Sequence, residues 1–397
     1  MTTTSLSFSP AGAGERADTL VVLGLLEELQ HGMLEVRLPD GGERLFGHGT
    51  PMATLQVYDE RTFTAVLRAG DIGLAEAYLD GWWDSPDLAA LMTLLANNRE
   101  ALKGAIYGNW RALLKARLRH WLNANTRSGS KRNIMAHYDL GNDFYAQWLD
   151  DSMTYSCALF LPETTSLREA QHAKYDRILD RIDAGAGERV LEIGCGWGGF
   201  AERAVARGLA VTGLTLSPSQ LAWAQQRVPA ADLRLQDYRD LDERFDHVVS
   251  IEMFEAVGER YWPTYFRTLA RSLKPGGKAV VQSIVIRDDL FASYRRGTDF
   301  IQQYIFPGGM LPSPSVFAKQ AAKAGLMVTD QFAFGKDYGR TLALWRERFE
   351  AQWAEIVPLG FDERFRRLWR MYFAYCEAGF MAGSIDVIQF ELQHADA

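Results

Sequence analysis

The most constraining feature of the chain is a regular alternation of short apolar runs and amphipathic segments from residue 189 onward. The pattern predicts strands over 189–193, 209–214, 233–235, 246–251 and 278–286. Helices are predicted between them, over 200–207, 218–227 and 261–272. Such an alternation favours an α/β fold whose mostly parallel sheet carries helices on both faces. Because sheets of this kind bind ligands at the carboxyl ends of their strands, we expect the functional site there.

The first predicted strand runs directly into a glycine-rich turn, Glu192-Ile193-Gly194-Cys195-Gly196-Trp197-Gly198. Glycines let the backbone turn tightly and approach a ligand closely, and a dinucleotide site is one interpretation of such a turn. The spacing here is ExGxGxG, whereas the dinucleotide fingerprint is GxGxxG. The turn resembles the first motif of class I S-adenosylmethionine (SAM) methyltransferases. The resemblance implies a doubly wound seven-stranded sheet and SAM as cofactor, with Glu192 near its methionine amino group and Gly194 and Gly196 lining it.

The following strands supply the other cofactor positions that this resemblance implies. Thr215 ends the second strand, where the family usually carries a ribose-binding acid, and Gln220 follows one helical turn later. Asp237 and Tyr238 follow the third strand, where an acid takes the adenine amino group and an aromatic ring covers the adenine. We therefore expect these four residues to line the nucleoside half of SAM.

Four further motifs resemble those of the cyclopropane-fatty-acyl-phospholipid synthase family, which includes the mycolic acid cyclopropane synthases. They are Tyr155-Ser156-Cys157-Ala158, Phe254-Glu255-Ala256-Val257-Gly258, Tyr304-Ile305-Phe306-Pro307-Gly308-Gly309 and Phe334-Gly335-Lys336-Asp337-Tyr338. The resemblance covers residues 133–397, and residues 19–98 are similar to the N-terminal domain of the phospholipid-acting members. It implies methyl transfer from SAM to the double bond of an unsaturated phospholipid acyl chain, giving a cyclopropane ring. It also adds Tyr155 and Ser156 to the cofactor-binding residues.

The same family holds a bicarbonate ion beside the reacting carbon, where the ion is thought to take the leaving proton. Its ligands correspond here to Glu255, Tyr338, Cys157 and Ile284, the last two mainly through backbone groups. Because Glu255 and bicarbonate are both acids, one shared proton would avoid a buried clash of like charges. Cys376 aligns with a cysteine once proposed as active in this family, although a small buried hydrophobe is the simpler interpretation.

One departure from the family pattern concerns the product. Cyclopropane synthases typically carry a histidine two residues before Ile284, where this chain has Gln282. Glutamine donates a hydrogen bond but cannot carry a proton or a charge. Either the anion stays, held by a neutral amide, or the proton leaves by another path and the product is a methyl-branched or methylene acyl chain. Glu252 lies one turn before Glu255. The sequence is consistent with two roles for it, a supporting partner of the site or a surface acid.

The chain divides into four predicted parts. Residues 1–18 are expected to form a flexible tail and 19–98 an accessory domain, with a hairpin that turns at 40–42. Residues 99–132 hold nine Lys or Arg and one Glu, with Trp and Leu at helical spacing. This basic segment fits either an anionic membrane surface or a helix that packs on its own protein. Residues 133–397 are predicted as the methyltransferase domain with an acyl-chain pocket.

The C-terminal part of that domain is rich in aromatic residues. The helical stretches 341–356 and 361–380 fit a cover over the acyl pocket, or an ordinary core. Residues 385–392 alternate in polarity and predict a closing strand.

Composition and charge exclude several classes of function. The formal charge of −7 argues against a general nucleic-acid binder, and the three dispersed cysteines suggest no disulfide framework. No HxxxH or HExxH pattern points to a metal site, and we expect neither a secretory signal nor a membrane-spanning helix. We expect a cytoplasmic enzyme, peripheral to the inner face of an anionic membrane, that acts on phospholipid acyl chains and forms a homodimer. Two alternative functions are a methyltransferase that acts on a small hydrophobic molecule and a lipid carrier that has no catalytic activity.

Overall fold

The structure is a computed structural model that describes residues 13–102, 140–164 and 166–395, with side chains described from residue 16 onward. The chain forms two compact units. The smaller unit contains the described residues up to 102 together with 297–300 and 361–382. The larger unit contains the remaining described residues. Each unit is therefore assembled from separate stretches of the chain.

The smaller unit is built on a four-stranded sheet in the order β2-β1-β3-β4. Its elements are α1 (Ala13–Leu26), β1 (Gly32–Arg37), β2 (Glu43–His48), β3 (Met52–Val57), α2 (Arg61–Leu79), β4 (Trp83–Asp84) and α3 (Leu88–Asn97). β1 and β2 form the predicted hairpin, and Gly41 in its turn has φ +85°. Leu34 and Val36 of β1 are fully buried and alternate with more exposed neighbours, so one face of the strand packs on the core.

A helix from the C-terminal part, Glu363–Met381, completes the smaller unit. The guanidinium of Arg367 donates to the Asp84 carboxylate at 2.9 Å and to two backbone carbonyl oxygens. Tyr375 donates its phenolic proton to Asp71 at 2.7 Å. The sequence assigns this helix to the methyltransferase domain, whereas its contacts group it with the N-terminal residues. Its predicted role as a pocket cover stays a prediction.

The larger unit is built on a seven-stranded sheet in the order β10-β11-β9-β8-β5-β6-β7. The strands are β5 (Arg189–Ile193), β6 (Ala210–Thr215), β7 (Asp232–Leu235), β8 (Phe245–Ile251), β9 (Leu273–Ile286), β10 (Leu326–Ala333) and β11 (Ile385–His394). β5 to β9 pair in parallel, whereas β11 runs antiparallel to both β9 and β10. The predicted α/β fold with a doubly wound seven-stranded sheet is confirmed.

Helices cover both faces of this sheet. They are α4 (Asn142–Trp148), α5 (Leu167–Ile182), α6 (Gly199–Ala206), α7 (Pro218–Arg227), α8 (Trp262–Ser272), α9 (Asp288–Tyr294), α10 (Pro314–Lys323), α11 (Gly335–Ala351) and α12 (Trp353–Ile356). Leu191 and Val281 belong to one buried apolar cluster, and their strand neighbours Val190 and Val280 belong to another. Since successive strand residues point to opposite faces, each face has its own core.

Two predicted segments lie wholly or largely outside the described residues. The basic segment 99–132 is described only at 99–102, and the tail 1–18 only from residue 13. Within the parts of the chain that the structure describes, no helix combines the length and the apolar character needed to cross a membrane.

Candidate active site

The carboxyl end of β5 forms the predicted glycine turn. Gly194, Gly196 and Gly198 have φ angles of +89°, +51° and +83°. Residues with a Cβ rarely adopt such backbone conformations. A Cβ at Gly194 would also lie 2.9 Å from Cγ of Met253, which is closer than side chains approach one another. Both the turn and its packing therefore require glycine at position 194.

Glu192 lies at the same strand end and is 3% exposed. Its Oε2 has no hydrogen-bond partner among the residues that the structure describes. Burial raises the pKa of this carboxyl to about 8, and the positive charge of Lys174 opposes that rise. A buried carboxylate without a partner is costly. The site therefore fits a cationic group, as the ammonium of the methionine half of SAM is, and this supports the predicted role of Glu192.

The ends of β6 and β7 hold residues predicted for the nucleoside half of SAM. The buried hydroxyl of Thr215 donates to Oε1 of Gln220 at 3.0 Å and accepts from the backbone N–H of Ser217 at 3.1 Å. Asp237 is held by Arg239, which donates to both carboxylate oxygens, at 2.9 and 2.6 Å. A carboxylate has lone pairs for further donors, so an adenine amino group would share Asp237 with Arg239.

Three more residues predicted to bind the cofactor have defined neighbours. The half-buried Tyr238 packs edge-on against Tyr265, with ring centroids 5.8 Å apart. The hydroxyl of Ser156 accepts a hydrogen bond from Nζ of Lys174 at 2.5 Å. Tyr155 packs within a cluster of aromatic rings formed by Tyr145, Trp148 and Trp345.

Glu252 follows β8 and collects three hydrogen bonds on its carboxylate. Its Oε1 accepts from the backbone N–H of Cys157 at 2.8 Å and from Nε2 of Gln282 at 2.7 Å. Its Oε2 accepts from the phenol of Tyr338 at 2.6 Å. Sequence reasoning left Glu252 open between the site and the surface. The structure brings three of the predicted catalytic residues together on its side chain.

The amide of Gln282 is oriented by a chain of hydrogen bonds that crosses the sheet. Arg177 of α5, which can only donate, donates to Oε1 of Gln389 at 2.5 Å. The amide group of Gln389 then donates to Oε1 of Gln282 at 3.0 Å, between directly paired residues of β11 and β9. Gln282 is consequently left with its NH₂ group facing Glu252. Sequence reasoning missed both Arg177 and Gln389.

Glu255 lies in the short 3-10 turn Phe254–Ala256 and receives fewer donors than Glu252. The backbone N–H of Ile284 donates to its Oε1, and its buried Oε2 has no partner among the described residues. Burial, and then the charge of Glu252, raises the pKa of Glu255 to about 8. Burial also raises the pKa of Glu252, but Lys174 and the three donors counteract the rise. Near pH 7 burial therefore favours the protonated form of Glu255, while Lys174 and the three donors favour the ionised form of Glu252.

Lys174 of α5 is a fully buried cation that sequence reasoning missed. Besides Ser156, its Nζ donates to Oε1 of Gln171 at 2.7 Å. Desolvation lowers the pKa of Lys174 to about 8, and the charge of Glu252 is the largest effect that opposes this. The sequence did contain a sign that Lys174 is buried. Ala170, Ile178 and Ile182 are apolar and follow one another on the same side of α5 as Lys174, at i, i+4 spacing.

The two cysteines of the predicted catalytic set lie in different units. Burial, and then the charge of Glu252, raises the pKa of the Cys157 thiol. The thiol is therefore uncharged, and the backbone N–H of Cys157 is the group that contacts Glu252. Cys376 lies in the helix Glu363–Met381 of the smaller unit, and desolvation raises the pKa of its thiol as well. A catalytic role for Cys376 stays a prediction.

The donors that the family resemblance assigns to bicarbonate are engaged by carboxylates of the chain itself. The phenol of Tyr338 and the backbone N–H of Cys157 donate to Glu252, and the backbone N–H of Ile284 donates to Glu255. Each of these three groups has one proton to give. The described residues thus do not fit a bicarbonate ion held by this donor set.

Comparison with known proteins relates most of this chain to a family of enzymes. The family model for mycolic acid cyclopropane synthetase matches residues 125–390. The tuberculostearic acid methyltransferase UfaA1 of Mycobacterium tuberculosis is 42% identical over 82% of this chain and 79% of its own length. The cyclopropane-fatty-acyl-phospholipid synthase of Escherichia coli K12 is 36% identical over 86% of this chain and 88% of its own length.

Solved structures agree with these relationships. The mycolic acid cyclopropane synthase CmaA1, complexed with SAH and CTAB, has 33% sequence identity and a TM-score of 0.62, covering 66% of this chain and 98% of its own. Coclaurine N-methyltransferase, at 18% identity and a TM-score of 0.62, supports the fold alone. The chain therefore belongs to the mycolic acid cyclopropane synthetase family, and it is a SAM-dependent methyltransferase of the cyclopropane-fatty-acyl-phospholipid synthase type.

Proposed function

We propose that this enzyme transfers the methyl group of SAM to the double bond of an unsaturated phospholipid acyl chain. The observation that carries the proposal is the extent of the similarity. The phospholipid synthase of Escherichia coli matches 86% of this chain, whereas the mycolate enzyme CmaA1 covers 66%. The match to the phospholipid enzyme therefore reaches beyond residues 125–390 of the methyltransferase family model.

The chemistry requires a site that tolerates a short-lived cation and then accepts a proton. SAM supplies a methyl group made electrophilic by the sulfonium charge. Residues of the chain supply the surroundings of this methyl group. Glu192 fits the ammonium of the cofactor. Glu255, with a pKa raised to about 8, adds little negative charge near pH 7. Glu252 accepts hydrogen bonds from three donors, and these bonds favour its ionised form.

Two products are consistent with this transfer. Proton loss from the new methyl group closes a cyclopropane ring if the same electron pair bonds to the cationic carbon. A methylene branch results if a hydride first moves to that carbon, and a saturated methyl branch then needs a later two-electron reduction. Gln282 occupies the position at which cyclopropane synthases typically carry a histidine, and its neutral amide donates to Glu252. Because of this difference, we retain the methyl-branched or methylene chain as an alternative product to the cyclopropane ring.

Lipid mass spectrometry of a host that expresses the protein tests the proposal. Unsaturated phospholipid acyl chains should gain the mass of one CH₂, and NMR of the extracted lipid should separate ring methylene protons from a methyl or methylene branch. The Glu192→Gln variant, which should bind SAM more weakly, provides a control with reduced cofactor binding. An unchanged lipid profile, with folded protein that binds SAM in calorimetry, would exclude the proposed reaction.

We further propose that the enzyme works at the cytoplasmic face of an anionic membrane, as a homodimer. The basic segment 99–132 supports membrane binding through its net charge of +8. Flotation with anionic and neutral vesicles should show binding to the anionic ones alone. Replacement of Arg111, Lys115 and Arg119 by Gln should abolish it, and indifference to lipid would favour a small hydrophobic substrate. Light scattering on the purified protein tests the dimer.

A further inference from the structure

Glu252 stands out from the other acids of the larger unit because its backbone, its carboxylate and its neighbours are all held in place. We propose that the carboxylate of Glu252 is the proton acceptor of the methyl-transfer reaction, in the place that the family resemblance gives to bound bicarbonate. This inference rests on the proposed function and names the base within it. Its consequence is an enzyme that needs no bicarbonate.

The first argument is the backbone of Glu252. Its φ of +48° is one of three positive values among the non-glycine residues of the described chain. This conformation is unfavourable for a residue with a Cβ, whereas glycine would adopt it freely. The Glu252 N–H is held by the carbonyl oxygen of Gln282 at 2.8 Å. Strained backbone conformations are commonly found at functional sites. Here the conformation of Glu252 determines the direction in which its carboxylate points.

The second argument is the set of donors. Tyr338 and the backbone N–H of Cys157, two of the groups expected to hold bicarbonate, reach the Glu252 oxygens at 2.6 and 2.8 Å. Gln282, at the position of the family histidine, gives the third bond. A carboxylate and a bicarbonate ion share the same planar arrangement of two oxygen acceptors. Glu252 therefore satisfies the donors as the ion would, and it competes with the ion for them.

The third argument is charge. The buried cation Lys174 favours the ionised form of Glu252, and burial raises the pKa of Glu255 to about 8, which favours the protonated form of that acid. Cys157, Gln282 and Tyr338 are 0%, 0% and 6% exposed, whereas Glu252 itself is only half-buried. The residue that accepts these three bonds is thus less enclosed than its donors.

The proposed step balances without a further reactant. The alkene electron pair forms the bond to the methyl carbon, and the S–CH₃ bond breaks with its pair left on sulfur. The other alkene carbon becomes cationic. Glu252 then takes a proton from the transferred methyl group, and the released C–H pair closes the ring. If a hydride has first shifted to the cationic carbon, the same pair forms the methylene double bond instead.

Purified full-length enzyme tests the inference in bicarbonate-free buffer with SAM and vesicles of unsaturated phospholipid. Wild-type turnover, measured as SAH release and as lipid mass gain, should be the same with and without millimolar bicarbonate. NMR with ¹³C-labelled bicarbonate should show no binding to the wild type. Glu252→Gln should lower kcat by about 100-fold or more, as expected for loss of a general base. Glu347→Gln, at an exposed acid on α11, is the matched control and should keep wild-type rates.

Glu252→Gly provides a second variant because glycine relieves the backbone strain and frees the three donors. It should fold, bind labelled bicarbonate, and recover part of its lost turnover when bicarbonate or formate is added. A wild-type enzyme that loses turnover without bicarbonate would overturn the inference, as would near-normal turnover of Glu252→Gln. Either result leaves the methyl transfer itself intact. Absence of lipid methylation under every condition would instead count against the proposed function.

Discussion

The phenol of Tyr338 donates a 2.6 Å hydrogen bond to Oε2 of Glu252, although 86 residues separate the two in sequence. The bond joins the first turn of α11 to the carboxyl end of β8. It places a neutral donor against a half-buried carboxylate, and such charge-assisted bonds are shorter and stronger than neutral ones. The bond with Tyr338, together with the charge of Lys174, therefore favours the ionised form of Glu252.

Replacing Tyr338 by Phe should impair turnover while leaving the cofactor site intact. Loss of a hydrogen bond to a charged group costs about 1.5–3 kcal/mol, which corresponds to a fall in kcat of about 10- to 150-fold. The SAM dissociation constant, measured by calorimetry, should change little. Tyr58→Phe, at an exposed tyrosine of the smaller unit, is the control. A variant with wild-type kcat would show that this bond does not serve the reaction.

Glu192→Gln should weaken SAM binding more than it affects folding. The wild-type carboxylate is buried with one oxygen unpartnered, and the cofactor ammonium would supply the missing partner. Removing the charge should raise the SAM dissociation constant by about 10- to 100-fold, and it should stabilise the cofactor-free protein because the buried acid is gone. Calorimetry and urea unfolding measure the two effects. Glu347→Gln should change neither, and unaltered SAM affinity in Glu192→Gln would remove Glu192 from the cofactor site.

Gln389→Met should break the hydrogen-bond chain that orients Gln282. The substitution leaves the buried Oε1 of Gln282 without its donor and removes the acceptor of Arg177. The expected loss in the free energy of unfolding is about 1–3 kcal/mol. Because Gln282 is then free to turn its oxygen toward Glu252, kcat should fall as well, with unchanged SAM affinity. Gln393→Met, at a half-buried position of the same strand, is the control. Loss of stability without loss of kcat would limit Gln389 to a structural role.

Glu255 should make the folded state less stable as the pH rises. An ordinary Glu has a pKa near 4.3, whereas burial raises the pKa of Glu255 to about 8. Between these values the folded chain keeps a proton that the unfolded chain has lost. The stability contributed by this proton is complete below about pH 4 and is lost as the pH rises through about 8.

Urea unfolding of Glu255→Gln and wild type across that range measures the effect. The variant lacks the titration, so its stability relative to wild type should increase with pH, by about 1 kcal/mol or more. Glu347→Gln should show a pH profile parallel to that of the wild type. A constant difference between Glu255→Gln and wild type would mean that Glu255 is ionised in the folded state near neutral pH.

Much of the larger unit was predictable because its signals are local. The strand 189–193 and the helix 218–227 match β5 and α7 in their bounds, since an apolar run and a Ser-Pro cap mark their limits in the sequence itself. The glycine turn after β5 follows from backbone conformations that only glycine adopts freely. The motifs also identified Tyr338, Gln282 and the Cys157 backbone as parts of one site.

The arrangement within the site was not predictable, because it depends on contacts between distant residues. The position of Glu252 follows from a positive φ after β8 and from donors on β9, α11 and the segment before α5. Gln282 and Gln389 are 107 residues apart and meet only through the antiparallel register of β9 and β11. The spacing along α5 places Lys174 in a row of apolar residues, but its contacts with Ser156 and Gln171 follow only from the fold.

The path of the C-terminal chain has a practical consequence for anyone who divides the protein into pieces. The helix Glu363–Met381 belongs to the smaller unit, and the strand directly after it, β11, lies inside the sheet of the larger one. A protease cut or stop codon near residue 360 would strip a packed helix from one unit and Gln389, with an interior strand, from the other. Neither unit is a contiguous, separable module, so domain-deletion experiments on this enzyme would report on misfolding before they report on function.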